Sequence, residues 1–143
     1  MSAIPDDLPR RVIEGVADGV LVADRDGKVR YWNAGATRIF GFGASEALGA
    51  SMDLIVPERL RERHWSGWET VMKTGVSRYG AGQLLAVPAL HKDGRQISIE
   101  FSIEILKDPD GRVAWVVAVI RDVTERFARE KALRAQLKAL EGR

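Results

Sequence analysis

Cysteine is absent from all 143 residues. That absence excludes disulfides, thiolate-bound zinc, iron–sulfur clusters, covalently attached c-type haem and any cysteinyl–chromophore adduct. It fits a reducing compartment. Histidine is scarce, with only His64 and His91, and their wide separation in sequence gives a two-histidine metal site little support. No apolar run is long enough to cross a bilayer. Residues 1–7 lack the basic-then-apolar order of a secretory signal, so the expected location is cytoplasmic. A surplus of one charge is missing too: 22 Lys and Arg stand against 20 Asp and Glu. The two signs interleave, apart from small clusters such as Arg61/Arg63, which argues against a nucleic-acid partner. No Ser/His/Asp or Cys/His set, Gly-rich phosphate loop or pair of carboxylates on an apolar face is visible, so an enzyme is the poorest class. Glu100 and Glu104 alternate with apolar residues and are expected to point to water.

What is there suffices for one domain with a core and a short appendage, since 45% of the residues are hydrophobic. The expected divisions are an N-terminal helical cap over 1–18, a core over 19–123 and a C-terminal helix over 124–143. Asp7-Leu8-Pro9 starts a short helix. Residues 19–24 and 29–32 form two strands around an Asp26-Gly27 turn. Asn33 caps a helix over 34–40, and Ser45 caps a single turn that ends at Gly49. An irregular or edge strand is expected over 77–90, given Gly80, Gly82 and Pro88. Ile97, Ile99, Phe101, Ile103 and Ile105 alternate as a half-buried strand, and 113–120 is apolar on both faces and so central. In the tail, Leu133, Leu137 and Leu140 recur at coiled-coil spacing, and 20 residues are too few to be stable alone. The sum is an α+β fold with five antiparallel strands, short helices and one longer helix.

That longer helix runs from Pro57 to Gly75. Leu60, His64, Trp68 and Val71 share one face, with Gly67 at its edge, while Glu62, Ser66, Glu69 and Lys73 lie opposite. A buried imidazole on such a face needs a hydrogen bond, a charge or a metal. Trp65 and Trp68 either pack or stack on a ligand. Trp32 is assigned to the core, and His91, in a turn, to solvent.

The phrases Gly19-Val20-Leu21-Val22-Ala23-Asp24, Tyr31-Trp32-Asn33, His91-Lys92-Asp93-Gly94 and Ile120-Arg121-Asp122-Val123-Thr124-Glu125-Arg126 resemble the PAS sensory domain over roughly residues 8 to 126. The resemblance implies a sensor module of a signal-transduction protein. It makes Asp122 and Thr124 the joint that passes a signal from the last strand to the C-terminal helix; Thr124 is also expected to cap that helix. Pro57-Glu58, Arg63-His64 and Thr74-Gly75 are similar to the helix of rhizobial haem-binding PAS oxygen sensors. That similarity implies haem b with His64 as axial iron ligand, and a diatomic gas or redox state as the signal. Ile99, Phe101 and Ile103 would line the porphyrin, with Leu60 and Trp68 beside it. Gly67, by its size, would leave room for a flat ring. Arg78 and Tyr79 are candidates for the propionates. Those sensors place an oxygen-binding arginine where this chain has Leu85, which cannot donate a hydrogen bond. The implied distal pocket therefore favours CO or NO, or uses Gln83 as its polar group. A homodimer through the C-terminal helix and N-terminal cap, with an output domain outside this chain, completes this reading. A PAS module without cofactor, and one holding flavin or a small metabolite, stay open beside it.

Overall fold

Five antiparallel strands make one sheet: β1 (Gly19–Ala23), β2 (Val29–Trp32), β3 (Leu85–Leu90), β4 (Gln96–Lys107) and β5 (Val113–Asp122). Their order is β2-β1-β5-β4-β3. The computed structural model describes residues 3–77 and 83–142. The expected α+β architecture is what forms. The doubly apolar β5 lies at the centre. β3 is an edge strand, where Pro88, which has no N–H to give, is tolerated. It starts at Leu85, not at residue 77.

Around the sheet run α1 (Leu8–Gly15), α2 (Ala34–Phe40), α3 (Ala44–Ala47), α4 (Arg61–Thr74) and α5 (Thr124–Glu141). Asn33 does more than cap α2. Its side-chain oxygen accepts from Ala36 N and from Val20 N, and its amide donates to Ile13 O and Asp18 O. One buried amide thus ties α1, β1 and α2 together, with every strong hydrogen-bonding direction used. Ser45 is not a cap. It lies within α3, whose cap position is Gly43, and Glu46 Oε1 accepts the Gly43 N–H.

The strand register sets the core. Leu85, Phe101, Ile120 and Gly19 stand in one row across the sheet, and Ile103, Ala118, Leu21 and Trp32 in the next. Leu21, Ala118, Ile120, Ile97 and Ile99 are buried in a single cluster with Phe40, Met52 and Ile55. Trp32 joins it, as expected, and its indole N–H is shared between Thr37 Oγ1 and Phe42 O. The opposite face is less wet than the alternation predicts. Glu100 keeps only 15% of its side chain exposed because Arg126 of α5 reaches over and pairs with it. No residue of α1 or α5 is buried. Among the described residues, no helix is long and apolar enough to cross a membrane.

Candidate functional site

The stretch from Pro57 to Gly75 is not one helix. Glu58–Leu60 forms a 3-10 turn, and Leu60 then occupies the cap position of α4. Gly75 ends α4 with φ +69°, the left-handed geometry that a C-terminal cap needs. Leu60, His64, Trp68 and Val71 are all half-buried, and Glu62, Ser66, Glu69 and Lys73 are exposed, so the expected stripe forms. Gly67 falls outside it. It is exposed, and a Cβ there would meet nothing within 4 Å, so close packing does not require glycine at this position.

His64 sits among aromatics. The Trp65 ring lies edge-on at 4.7 Å between centroids and the Trp68 ring at 6.0 Å. The Nδ1 atom of His64 is buried and has no hydrogen-bond partner. Burial pushes the His64 pKa below its usual value, and the nearby Asp53 carboxylate only partly opposes this. The imidazole is therefore neutral at neutral pH, the form that binds metals.

Both neighbouring indoles are anchored. Trp65 Nε1 donates to Asp53 Oδ1 at 2.7 Å, and Trp68 Nε1 donates to the Arg25 carbonyl at 2.9 Å. Arg61 holds the same segment through Val56 O and Asp53 O. The Trp65 ring rests on Gly27, which has φ +76°; a Cβ there would overlap the ring. So α4 docks on the β1–β2 turn through two tryptophans. Asp53, Arg25 and Gly27 belong to this site, and the sequence reading missed all three as site residues.

The apolar candidates divide. Ile99 is buried in the core, while Phe101 and Ile103 are half-buried in the rows beside it. Trp65, Trp68 and Phe101 all pack against that same core. Leu85 is half-buried and pairs with Phe101 across β3 and β4, and Gln83 is exposed just before β3. Arg78 and Tyr79 lie outside the described residues. His91 is not solvated as expected. Its side chain is 16% exposed, its ring packs on Gly41, and its Nδ1 accepts from Asp93 N. Among the described residues, no cluster of three or more His, Asp or Glu is placed to hold a metal ion.

At the end of β5, Thr124 is knotted to β4. Its hydroxyl oxygen accepts from Ser98 N at 2.9 Å and its hydroxyl hydrogen-bonds Asp122 Oδ1, while Val123 N donates to Ser98 O. Thr124 is not a side-chain cap for α5. Val123 holds the cap position without a side-chain bond, and Asp122 Oδ1, one residue before it, accepts from Thr124 N at 2.9 Å.

Residues 13–128 match the family described as PAS fold. The chain belongs to the PAS fold family. As a PAS domain it is a sensor module of signalling proteins. It is 26% identical over 117 residues to the sensor protein FixL of Bradyrhizobium diazoefficiens, covering 81% of this chain and 22% of that protein. It is 23% identical over 123 residues to the oxygen sensor protein DosP of Escherichia coli, covering 86% of this chain and 15% of DosP. The chain thus spans only 22% and 15% of the length of these two relatives. Among solved structures, the PAS domain of a Colwellia psychrerythraea protein superposes with a TM-score of 0.71 at 21% identity, covering 84% of this chain and 99% of that one.

Proposed function

We propose that this PAS domain holds haem b through His64, senses a diatomic gas or redox state there, and relays the signal through the Asp122–Thr124 joint to α5. The observation that carries this reading is the buried, unpartnered Nδ1 of a neutral imidazole. An orphaned polar atom at that depth is unfavourable unless something compensates it, and a neutral imidazole is the donor that haem iron takes. The family likeness to an oxygen sensor supports the same direction. Haem, when bound, supplies an iron with a coordination position open to CO, NO or oxygen.

The chain's own residues do the rest. Burial keeps His64 deprotonated and able to ligate. Leu60, Trp68, Phe101 and Ile103 offer half-buried apolar surface, and Ile99 backs it from the core. Gly67, exposed with open space around it, stays a proposal, as do Arg78 and Tyr79 for the propionates. Leu85 gives the distal side no donor, so CO or NO is held in preference to oxygen. Gln83 is the remaining polar candidate. Leu133, Leu137 and Leu140 are exposed along α5, as are Val12 and Val16 at the cap, which suits a homodimer through α5 and α1.

The test is the absorption spectrum of protein expressed with haem supply, reduced and then exposed to CO. The expected result is a Soret band that shifts with CO and disappears in His64→Ala. A flavin spectrum, or no band above the tryptophan region after haem reconstitution, would overturn haem. The last outcome would leave a cofactor-free relay module.

A further inference from the structure

We infer that the hollow where the end of α4 meets the β1–β2 turn and the β4–β5 turn is a binding site for a small oxyanion carrying two or more negative charges, of the size of a phosphate ester or a tricarboxylate. The hollow has a volume of about 310 Å3, and Arg25, Lys73 and Arg112 line it together with Gly75 and Val113. That volume is at the small end of ligand sites, which run from roughly 300 to 1,000 Å3.

Three positively charged residues from three separate elements line the hollow. Among the described residues, Arg25, Lys73 and Arg112 have no carboxylate partner. Of the two acids on the β4–β5 turn, Asp108 and Asp110, the first holds the turn: Asp108 Oδ1 accepts the backbone N–H groups of Asp110 and Arg112. Arg25 is fixed in place, because its Nη1 donates to Val113 O at 2.7 Å. A guanidinium held by one nitrogen keeps its other donors for an oxyanion. The C-terminal end of α4 would oppose an anion with about half a negative charge. Lys107 offsets that, since its ammonium lies against the Gly75 cap, within about 3.2 Å of where a Cβ would stand. Three cationic side chains around one recess, with Lys107 beside it, are the arrangement that attracts an anion.

The site is also wired to α4. Arg25 accepts the Trp68 indole N–H through its carbonyl, one turn after His64. An anion bridging Arg25, Lys73 and Arg112 would clamp the end of α4 to the sheet, whether or not the domain carries a cofactor.

Titration calorimetry of the full chain with citrate and with pyrophosphate, at ionic strength held constant with NaCl, tests this. The expected result is saturable one-site binding of at least one anion. The Lys73→Gln/Arg112→Gln double variant should weaken it about tenfold or more, the loss of two charge-assisted contacts. Arg129→Gln, on the exposed side of α5, should leave it unchanged. Circular dichroism melts of each variant check folding, since both substitutions are at exposed positions. Citrate alone binding assigns a polycarboxylate, pyrophosphate alone a phosphate compound, and both an anion chosen by charge. No saturable binding of either, or equal binding by the double variant, would overturn the site.

Discussion

The two helical sides of this domain hold on to the sheet in different ways. On one side, α2, α3 and the 3-10 turn Met52–Leu54 sink Ala36, Phe40, Ala47 and Met52 into the core with Leu21, Ala23 and Val29. On the other, the 14 residues of α4 include no buried side chain. Apolar burial holds the first side, at about 25 cal/mol per Å2. The second packs only partly buried Trp65 and Trp68 on the same core and adds a few directed contacts: Trp65 to Asp53, Trp68 to Arg25, Arg61 to two carbonyls, and Trp65 stacked over Gly27. Segments with few buried contacts open at low free energy, and ligand-responsive elements come from them. The imidazole with an orphaned nitrogen sits on the loose side.

The largest effect should fall on the packed side. Phe40 is 0% exposed, and Phe40→Ala should destabilise the domain by about 4 kcal/mol, through lost transfer energy and the cavity left behind. Phe101→Ala, at a half-buried position on β4, should lower stability by only about 2 kcal/mol. Urea unfolding of both variants measures the difference. Equal losses would mean that Phe101 is packed as tightly as Phe40.

Next comes the seam between the sides. Gly27→Ala forces a side chain into a positive-φ position and into the Trp65 ring. We expect about 2 kcal/mol of destabilisation and a red shift of tryptophan emission as α4 lifts. An unshifted emission spectrum would show that Trp65 does not depend on that contact.

The same turn has a pH signature through Asp24. Burial alone would raise its carboxyl pKa. The Arg30 guanidinium and the backbone N–H groups of Lys28 and Asp26 outweigh that and hold it below the ordinary 3.8. A depressed carboxyl stabilises the fold above its unfolded pKa, and the contribution is lost as pH falls through the folded value. Asp24→Asn should therefore be less stable by about 1.5 kcal/mol at pH 7. Its deficit should vanish once the pH has fallen through the folded pKa. A deficit that persists at low pH would show that shape, not charge, holds the turn.

The packed side was far more legible in the sequence than the loose one. The Ile97–Ile105 alternation, the doubly apolar β5 and the Asn33 cap are local patterns with a fixed period or position, and each reads directly as structure. The α4 stripe was legible for the same reason, and with it His64. What supports His64 was not legible. Nothing in Asp26-Gly27 signals that a tryptophan 38 residues later will rest on it, and nothing in Asp53 signals an indole acceptor. These are contacts between segments far apart in sequence, and side chains that can hydrogen-bond in many ways leave no periodic trace. Glu100 and His91 misled for a related reason: alternation and turn position describe their own strand or loop, not Arg126 or Gly41 arriving from elsewhere.

The smallest effect tests whether the exit from the sheet is tied to it or merely continuous with it. Thr124→Val keeps the shape and removes the hydroxyl that Ser98 N donates to. Global stability should fall by about 1 kcal/mol, the loss of the hydroxyl's bonds to Ser98 N and Asp122 Oδ1 in a half-exposed place. Local order should change more. With the hydroxyl gone, only the Val123 N to Ser98 O bond and the Arg126–Glu100 pair would fix α5 to β4. Amide exchange at Ser98 and in the first turn of α5 should then quicken by more than the global change explains. Exchange that quickens only in step with global stability would mean that Thr124 contributes to the fold alone. A strain arriving at β4 would then reach α5 without passing through the Thr124 hydroxyl.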